Sequence, residues 1–327
     1  MSINPSHKQV TKGLLRLCHI DPPRSPCCES KAPLGRTASH PNDDASLRTP
    51  GASLQSGFAL LAPFVCHLFM ARVNTKICLS LFLAASLHAK VLLLIIASDD
   101  FPVYPECQKT WRAYMHADPL HVEAYFIRAD PALKTQYKIK GDTIWSKTEE
   151  CQFPGILIKT VCSLKALSSR LHEFDAIIRT NLSSFFIFPR LLEFLQTLPK
   201  TGCYCGPETG PNSQIASGTG IILSPDLAER LIAQQPWLLH YYPRKFPDHS
   251  TPPDDAIIAA FFRDRGVHLI PTNILHIETL EYWNQVKDQI PKSIFHIRIK
   301  TDNPVRIVHD PLIGAELLKM FYGINRT

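Results

Sequence analysis

The run Val91-Leu-Leu-Leu-Ile-Ile-Ala97 constrains this chain more than any other feature. Seven apolar residues in a row leave no polar side for water, so the strand they form is buried on both faces, as in the middle of a helix-covered sheet. Ser98-Asp99-Asp100 ends the run, which puts polar groups at the strand's carboxyl end, where open α/β sheets bind ligands.

Beyond this strand the chain alternates. The pattern predicts a helix over Glu106–Ala117, a strand over Glu123–Arg128, a helix over Ile156–Leu167, a strand over Ala176–Arg179 and a helix over Pro189–Thr197. Further on it predicts a strand over Gly220–Leu223, a helix over Asp226–Ala233, a helix over Asp254–Arg265 and a strand over Val267–Pro271. Strand and helix in alternation give a mixed, mostly parallel central sheet with helices on both faces, an α/β nucleotide-binding fold. With 327 residues, 45% of them hydrophobic, the chain is long enough to bury one large core.

Residues 1–69 read differently. PPRSPCCES and SHPNDDASLRTPGAS have neither helical nor strand period, so this stretch is expected to be a disordered or spurious extension. Residues 70–89 begin at Met70, carry Arg72 and Lys76 ahead of an apolar run, and end in small residues, the pattern of a signal peptide or anchor. That reading sends the chain to a secreted or membrane-associated location, whereas an apolar segment packed on the domain leaves a cytoplasmic one open; residues 90–327 are expected to form the folded domain. The net charge of +6 is dispersed, with no run of five basic residues, so a nucleic-acid partner is not expected. The ten cysteines show no zinc spacing, and Cys107, Cys151, Cys162, Cys203 and Cys205 are expected as buried free thiols.

Several segments carry residues suited to chemistry. Ser98, Asp99 and Asp100 can accept hydrogen bonds from a ribose or uracil, or else form a turn and cap before Pro102. Arg179-Thr180-Asn181 breaks two apolar runs at a strand end, where Arg179 offers positive charge and Asn181 a neutral metal or hydroxyl ligand; Ser183 and Ser184 read as caps of the next helix. Ser217, Gly218 and Gly220 form a glycine-rich turn, either a tight turn or the floor of an acceptor site. Asp254 and Asp255 open a helix, where acids suit the dipole, and where one can act as a general base. His296, Arg298 and Lys300 share one face of a strand and can meet a diphosphate and its metal. Trp237 can stack on the flat face of a ligand, or belong to the core.

In order and spacing, these segments resemble the Fringe/β-1,3-galactosyltransferase group. Glu106-Cys-Gln-Lys-Thr-Trp-Arg112 is similar to its R-x-T-W element, FDAIIRTNLSSFF falls where its metal motif stands, YCGP comes next, SGTGIILS is similar to S-G-x-G-x-x-L-S, and Asp254-Asp255 to its D-D-V. The resemblance implies a GT-A fold and an inverting transfer of a hexose or N-acetylhexosamine from a UDP-sugar to a glycan or lipid-linked acceptor. It makes Asp255 the base, with Asp254 beside it. It places Arg112 with the donor residues and Arg179, Thr180 and Asn181 where the group has its acidic triplet. No acid remains there, so a divalent metal, Mn2+ or Mg2+, would fall to Asn181 and His296, or Arg179, Arg298 and Lys300 would neutralise the diphosphate instead. A non-catalytic sugar- or nucleotide-binding relative is the alternative.

Overall fold

The computed structural model describes residues 89–240 and 253–325. The readings of residues 1–69 and of the signal-like segment up to residue 88 lie outside these. Among the described residues no helix is long and apolar enough to cross a membrane.

In chain order the strands are β1 (Val91–Ile96), β2 (Val122–Ala129), β3 (Tyr137–Lys140), β4 (Thr143–Ser146), β5 (Ala176–Asn181), β6 (Ser184–Phe186), β7 (Tyr204–Pro207), β8 (Gly220–Leu223), β9 (Leu269–Thr272), β10 (Leu275–Ile277) and β11 (His296–Ile299). The helices are α1 (Tyr104–Tyr114), α2 (Gly155–Ala166), α3 (Phe188–Leu195), α4 (Pro225–Ala233), α5 (Gln235–His240), α6 (Asp254–Arg263), α7 (Leu280–Val286) and α8 (Arg306–Tyr322). An eight-stranded sheet runs β3-β4-β2-β1-β5-β8-β7-β9, and a three-stranded one runs β10-β11-β6.

The apolar run does what its composition demands. β1 lies mid-sheet, parallel to β2 and to β5. Val91, Leu93 and Ile95 face a core shared with Trp111 and Tyr114 of α1, Leu191 of α3 and Leu317 of α8. Leu92 and Leu94 face the other core, with Leu157 and Val161 of α2, Leu227 of α4 and Phe261 of α6. Full burial of each such side chain stabilises the fold by roughly 1.5–3 kcal/mol, so helices on both faces are what make this strand tenable.

Register then fixes the site. Ile96 pairs with Asn181, so the carboxyl ends of β1 and β5 lie side by side. β8 is antiparallel to β5, with Gly220 opposite Thr180, which brings the Ser217–Thr219 turn before β8 to the same edge. The small sheet adds a further wall: Arg298 of β11 stands opposite Ser184 of β6.

Serines 183 and 184 do not cap a helix, contrary to expectation. Ser184 opens β6, and α3 starts only at Phe188. Its hydroxyl donates to the Thr219 carbonyl at 2.9 Å, tying the two sheets together. None of the five described cysteines is in a disulfide; Cys107, Cys162, Cys203 and Cys205 are buried and Cys151 is half-buried.

Candidate functional site: a polar cleft at the sheet edge

A cleft of about 460 Å³ opens at this edge. Ser98, Asp100, Arg179, Asn181, Ser217, Gly218, Asp254, Asp255, Arg298 and Lys300 all line it, although 202 positions separate the first from the last. Parallel strands put their carboxyl ends on one edge, and that is why distant polar breaks meet.

The two aspartates at the start of α6 have different surroundings. Successive helix residues point about 100° apart, so one turns inward and one outward. Asp254 is 6% exposed and paired with Arg179, itself 3% exposed. Burial pushes the Asp254 carboxyl above its ordinary range, against the pull of the Arg179 charge. Arg179 also donates from Nη1 to the Gly218 carbonyl at 3.1 Å. Asp255 is half-buried at the cleft, and its Oδ2 accepts the Gly218 N–H at 3.0 Å while Oδ1 accepts that of Ala256 at 2.8 Å. Each carboxylate oxygen can accept twice, so two backbone donors orient this group and leave lone pairs for a ligand.

Gly218 is required by that arrangement. A Cβ there would stand 2.6 Å from Arg179 Nη1 and 3.4 Å from Asp255 Oδ2, closer than a side chain can approach the guanidinium. Thr180 does not face the cleft; fully buried, it donates to the Thr219 carbonyl at 2.6 Å and pins the same turn. Asn181 does line the cleft, but its Oδ1 accepts from the Ser183 N–H at 3.1 Å, closing its own loop, with the Ser184 hydroxyl oxygen 3.3 Å away.

Four more expected residues sit elsewhere. Asp99 turns away from the cleft to pair with Arg128 and accept from Gln108 at 3.1 Å; its partial burial is outweighed by these two hydrogen bonds, which lower its pKa. Arg112 lies outside the cleft, donates to Asp142 at 3.1 Å and covers the Phe126 ring at 4.8 Å. Trp237 on α5 is 54% exposed and is not part of the cleft wall. Gly220 lies under the His296 ring, where a Cβ would come within 2.8 Å of it.

His296 is the clearest correction. It is 1% exposed, stacked on Phe186 at 4.4 Å between centroids, with Nε2 3.1 Å from the Ser184 hydroxyl. Burial, helped by the charges of His276 and Arg298, pushes its pKa down to about 3. It is a core residue that holds the small sheet against β8, not a metal ligand at the cleft. Among the described residues no group of three or more His, Cys, Asp or Glu side chains is placed to hold a metal ion.

Four side chains at the site went unread in the sequence. Glu150 lines the cleft and pairs with Lys159, a fully buried ammonium that also reaches the Ala97 carbonyl at 3.5 Å. Burial lowers the Lys159 pKa although Glu150 opposes it. The signal was a lysine inside the apolar stretch Ile156–Val161. Tyr104 and Arg306 line the cleft from α1 and α8, Arg306 donating to Asp310 at 2.7 Å and to the Ser183 hydroxyl at 2.7 Å.

No protein-family model matches the chain, and no curated protein matches it. Among solved structures it is similar to the crystal structure of a glycosyltransferase involved in the glycosylation of the major capsid of PBCV-1, at 9% identity, over 68% of this chain and 98% of that one, with a TM-score of 0.39.

Proposed function

We propose that the chain is an inverting glycosyltransferase that moves a hexose or N-acetylhexosamine from a UDP-sugar to a hydroxyl of a glycan or lipid-linked acceptor. The observation that carries this reading is Asp255: a carboxylate at a helix N-terminus, oriented by the Gly218 N–H and aimed into a cleft that also holds several cations. A single well-placed base is what an inverting transfer requires of the protein. The acceptor hydroxyl gives its proton to Asp255 as its oxygen attacks the anomeric carbon, the bond from that carbon to the β-phosphate oxygen breaks, and UDP leaves with the electron pair.

Asp254 is committed to Arg179, and its neutralised charge leaves Asp255 as the carboxylate free to take a proton. Ser98 and Asp100, past the end of β1, offer acceptors to the hydroxyls of the ribose. Ser217 and Gly218 form the part of the floor nearest the base, where an acceptor sugar would lie. A manganese or magnesium ion does not fit the residues expected to hold it: Asn181 Oδ1 already accepts the Ser183 N–H and His296 is buried under Gly220.

The test is UDP release from UDP-sugars by the full chain, with and without an acceptor, in wild type and Asp255→Asn. Acceptor-dependent release that disappears in the variant supports the transferase. Release without acceptor indicates a hydrolase, and UDP binding without turnover a non-catalytic binding module.

A further inference from the structure

We infer that a diphosphate is held in this cleft by Arg298, Lys300 and Arg306, without a bridging divalent cation. This rests on the proposed transferase reading for the identity of the ligand, and on the charges around the cleft for the site itself.

Among the described residues, half of the eight charged side chains in the wall are paired. Arg179 is matched by Asp254, and Glu150 by Lys159. Arg306 binds Asp310 through Nε and Ser183 through Nη2, which fixes its plane while leaving a second guanidinium edge. Arg298 and Lys300 are different. Among the described residues neither has a carboxylate in ion-pair contact, and the Arg298 Nε is buried without any hydrogen-bond partner. An arginine nitrogen removed from water and left unbonded costs free energy unless something else completes it.

Strand geometry aligns the row. His296, Arg298 and Lys300 lie at alternate positions, so they point the same way, and their exposure rises from buried through half-buried to exposed. The row leads from the core to the mouth of the cleft. Burial lowers the Arg298 pKa and the nearby Arg306 charge lowers it further, while Glu278 opposes both. Arg298 and Arg306 thus repel one another beside the exposed Lys300, an arrangement that a bound anion relieves. Planar guanidinium forks match phosphate oxygens in pairs, which suits a diphosphate better than a single carboxylate.

These cations stand in the wall formed by β11 and α8, whereas Asp255 belongs to the wall formed by α6 and the turn before β8. A leaving diphosphate on the first wall and a base on the second is the separation an inverting displacement needs. Of the oxygen groups a metal could use, Asp254 is committed to Arg179, Glu150 to Lys159 and Asn181 to its own loop, which leaves Asp100 and Asp255.

Calorimetric titration of the full chain in excess EDTA tests this, with uridine, UDP and inorganic pyrophosphate as probes. UDP should bind about tenfold or more tightly than uridine, as expected for charge-assisted hydrogen bonds to the phosphates. Lys300→Gln, at an exposed position, and Arg298→Gln should each narrow that gap and weaken pyrophosphate binding, and Arg298→Lys should recover part of the loss. The inference is overturned if UDP binds no better than uridine in EDTA but gains affinity on adding Mn2+, or if the Arg298→Gln/Lys300→Gln double variant keeps the full gap. Pyrophosphate binding that depends on Arg298, in a protein that turns over no UDP-sugar, upholds the anion site and sinks the transferase reading. Turnover that needs Mn2+ and tolerates Arg298→Gln does the reverse.

Discussion

Acidification should destabilise this protein through His296, and the amount is set by its surroundings. The ring is sealed between Phe186 and Gly220, with Ser184 its hydrogen-bonding partner. Its pKa falls from 6.5 to about 3 on folding. The folded protein therefore takes up almost no proton at this site until the pH approaches that value, whereas the unfolded chain is protonated below 6.5. More protons on the unfolded state means that stability is lost as pH falls from 6.5 towards about 3. The slope approaches about 1.4 kcal/mol per pH unit, so moving from about pH 7 to about pH 5 costs about 2 kcal/mol through this one group. The assay is urea unfolding of the full chain and of His296→Gln, whose amide can still bond Ser184 but does not titrate. Every other titrating group cancels in the comparison. Wild type should lose about 2 kcal/mol more than the variant over that interval, whatever their difference at neutral pH. Parallel profiles would show that the ring titrates normally, and the buried, neutral imidazole described above would be wrong.

Three further outcomes are expected. Asp255→Asn should lower kcat for transfer by roughly 10²–10⁴ while leaving the affinity for UDP nearly intact, read by UDP release and calorimetry. Gly218→Ala should push the Arg179 guanidinium aside and cost about 1–3 kcal/mol of stability, with turnover falling too; a variant as stable and active as wild type would mean the turn has room that its 2.6 Å approach denies. Arg179→Met strands the buried Asp254 carboxylate and should cost about 3–5 kcal/mol at neutral pH, measured by denaturant unfolding, with much of the loss recovered in Arg179→Met/Asp254→Leu.

The fold was legible because β1 announces itself: a strand apolar at every position admits one environment. The alternation of β1, α1, β2, α2, β5 and α3 came with it, although β3, β4 and β6 interrupt it unread and the helix predicted over Glu106–Ala117 ends three residues earlier, at Tyr114. The short edges were harder. β3 is exposed at Lys138, Ile139 and Lys140, so it lacks the buried alternation that marks a strand, and β6 is only three residues long. α8 carries Pro311 within it, a residue that usually reads as a helix break. At the site, which segments meet was readable from strand ends, but which way a side chain turns was not. Asp99 and Asp100 are neighbours, yet only Asp100 reaches the cleft, because Arg128 from β2 claims the other. His296 shows the same limit: its strand face was evident, but the Phe186 and Gly220 that cover it come from segments 110 and 76 residues away. Lys159 was visible only as an anomaly, a charge in an apolar helix, whose meaning depends on Glu150 arriving beside it.

Arg306, at the first turn of α8, is a late arrival in synthesis. Roughly two hundred residues separate it from Ser98, which at ordinary elongation rates is a delay on the order of 10–40 s. Through that interval the nascent chain can assemble its central sheet with one bank of the crevice missing. A polypeptide ended by a stop codon before β11 would keep Asp255 and the Gly218 turn but lose Arg298, Lys300 and Arg306 together, along with the buried Ile297 and Leu317 that close the core beneath them.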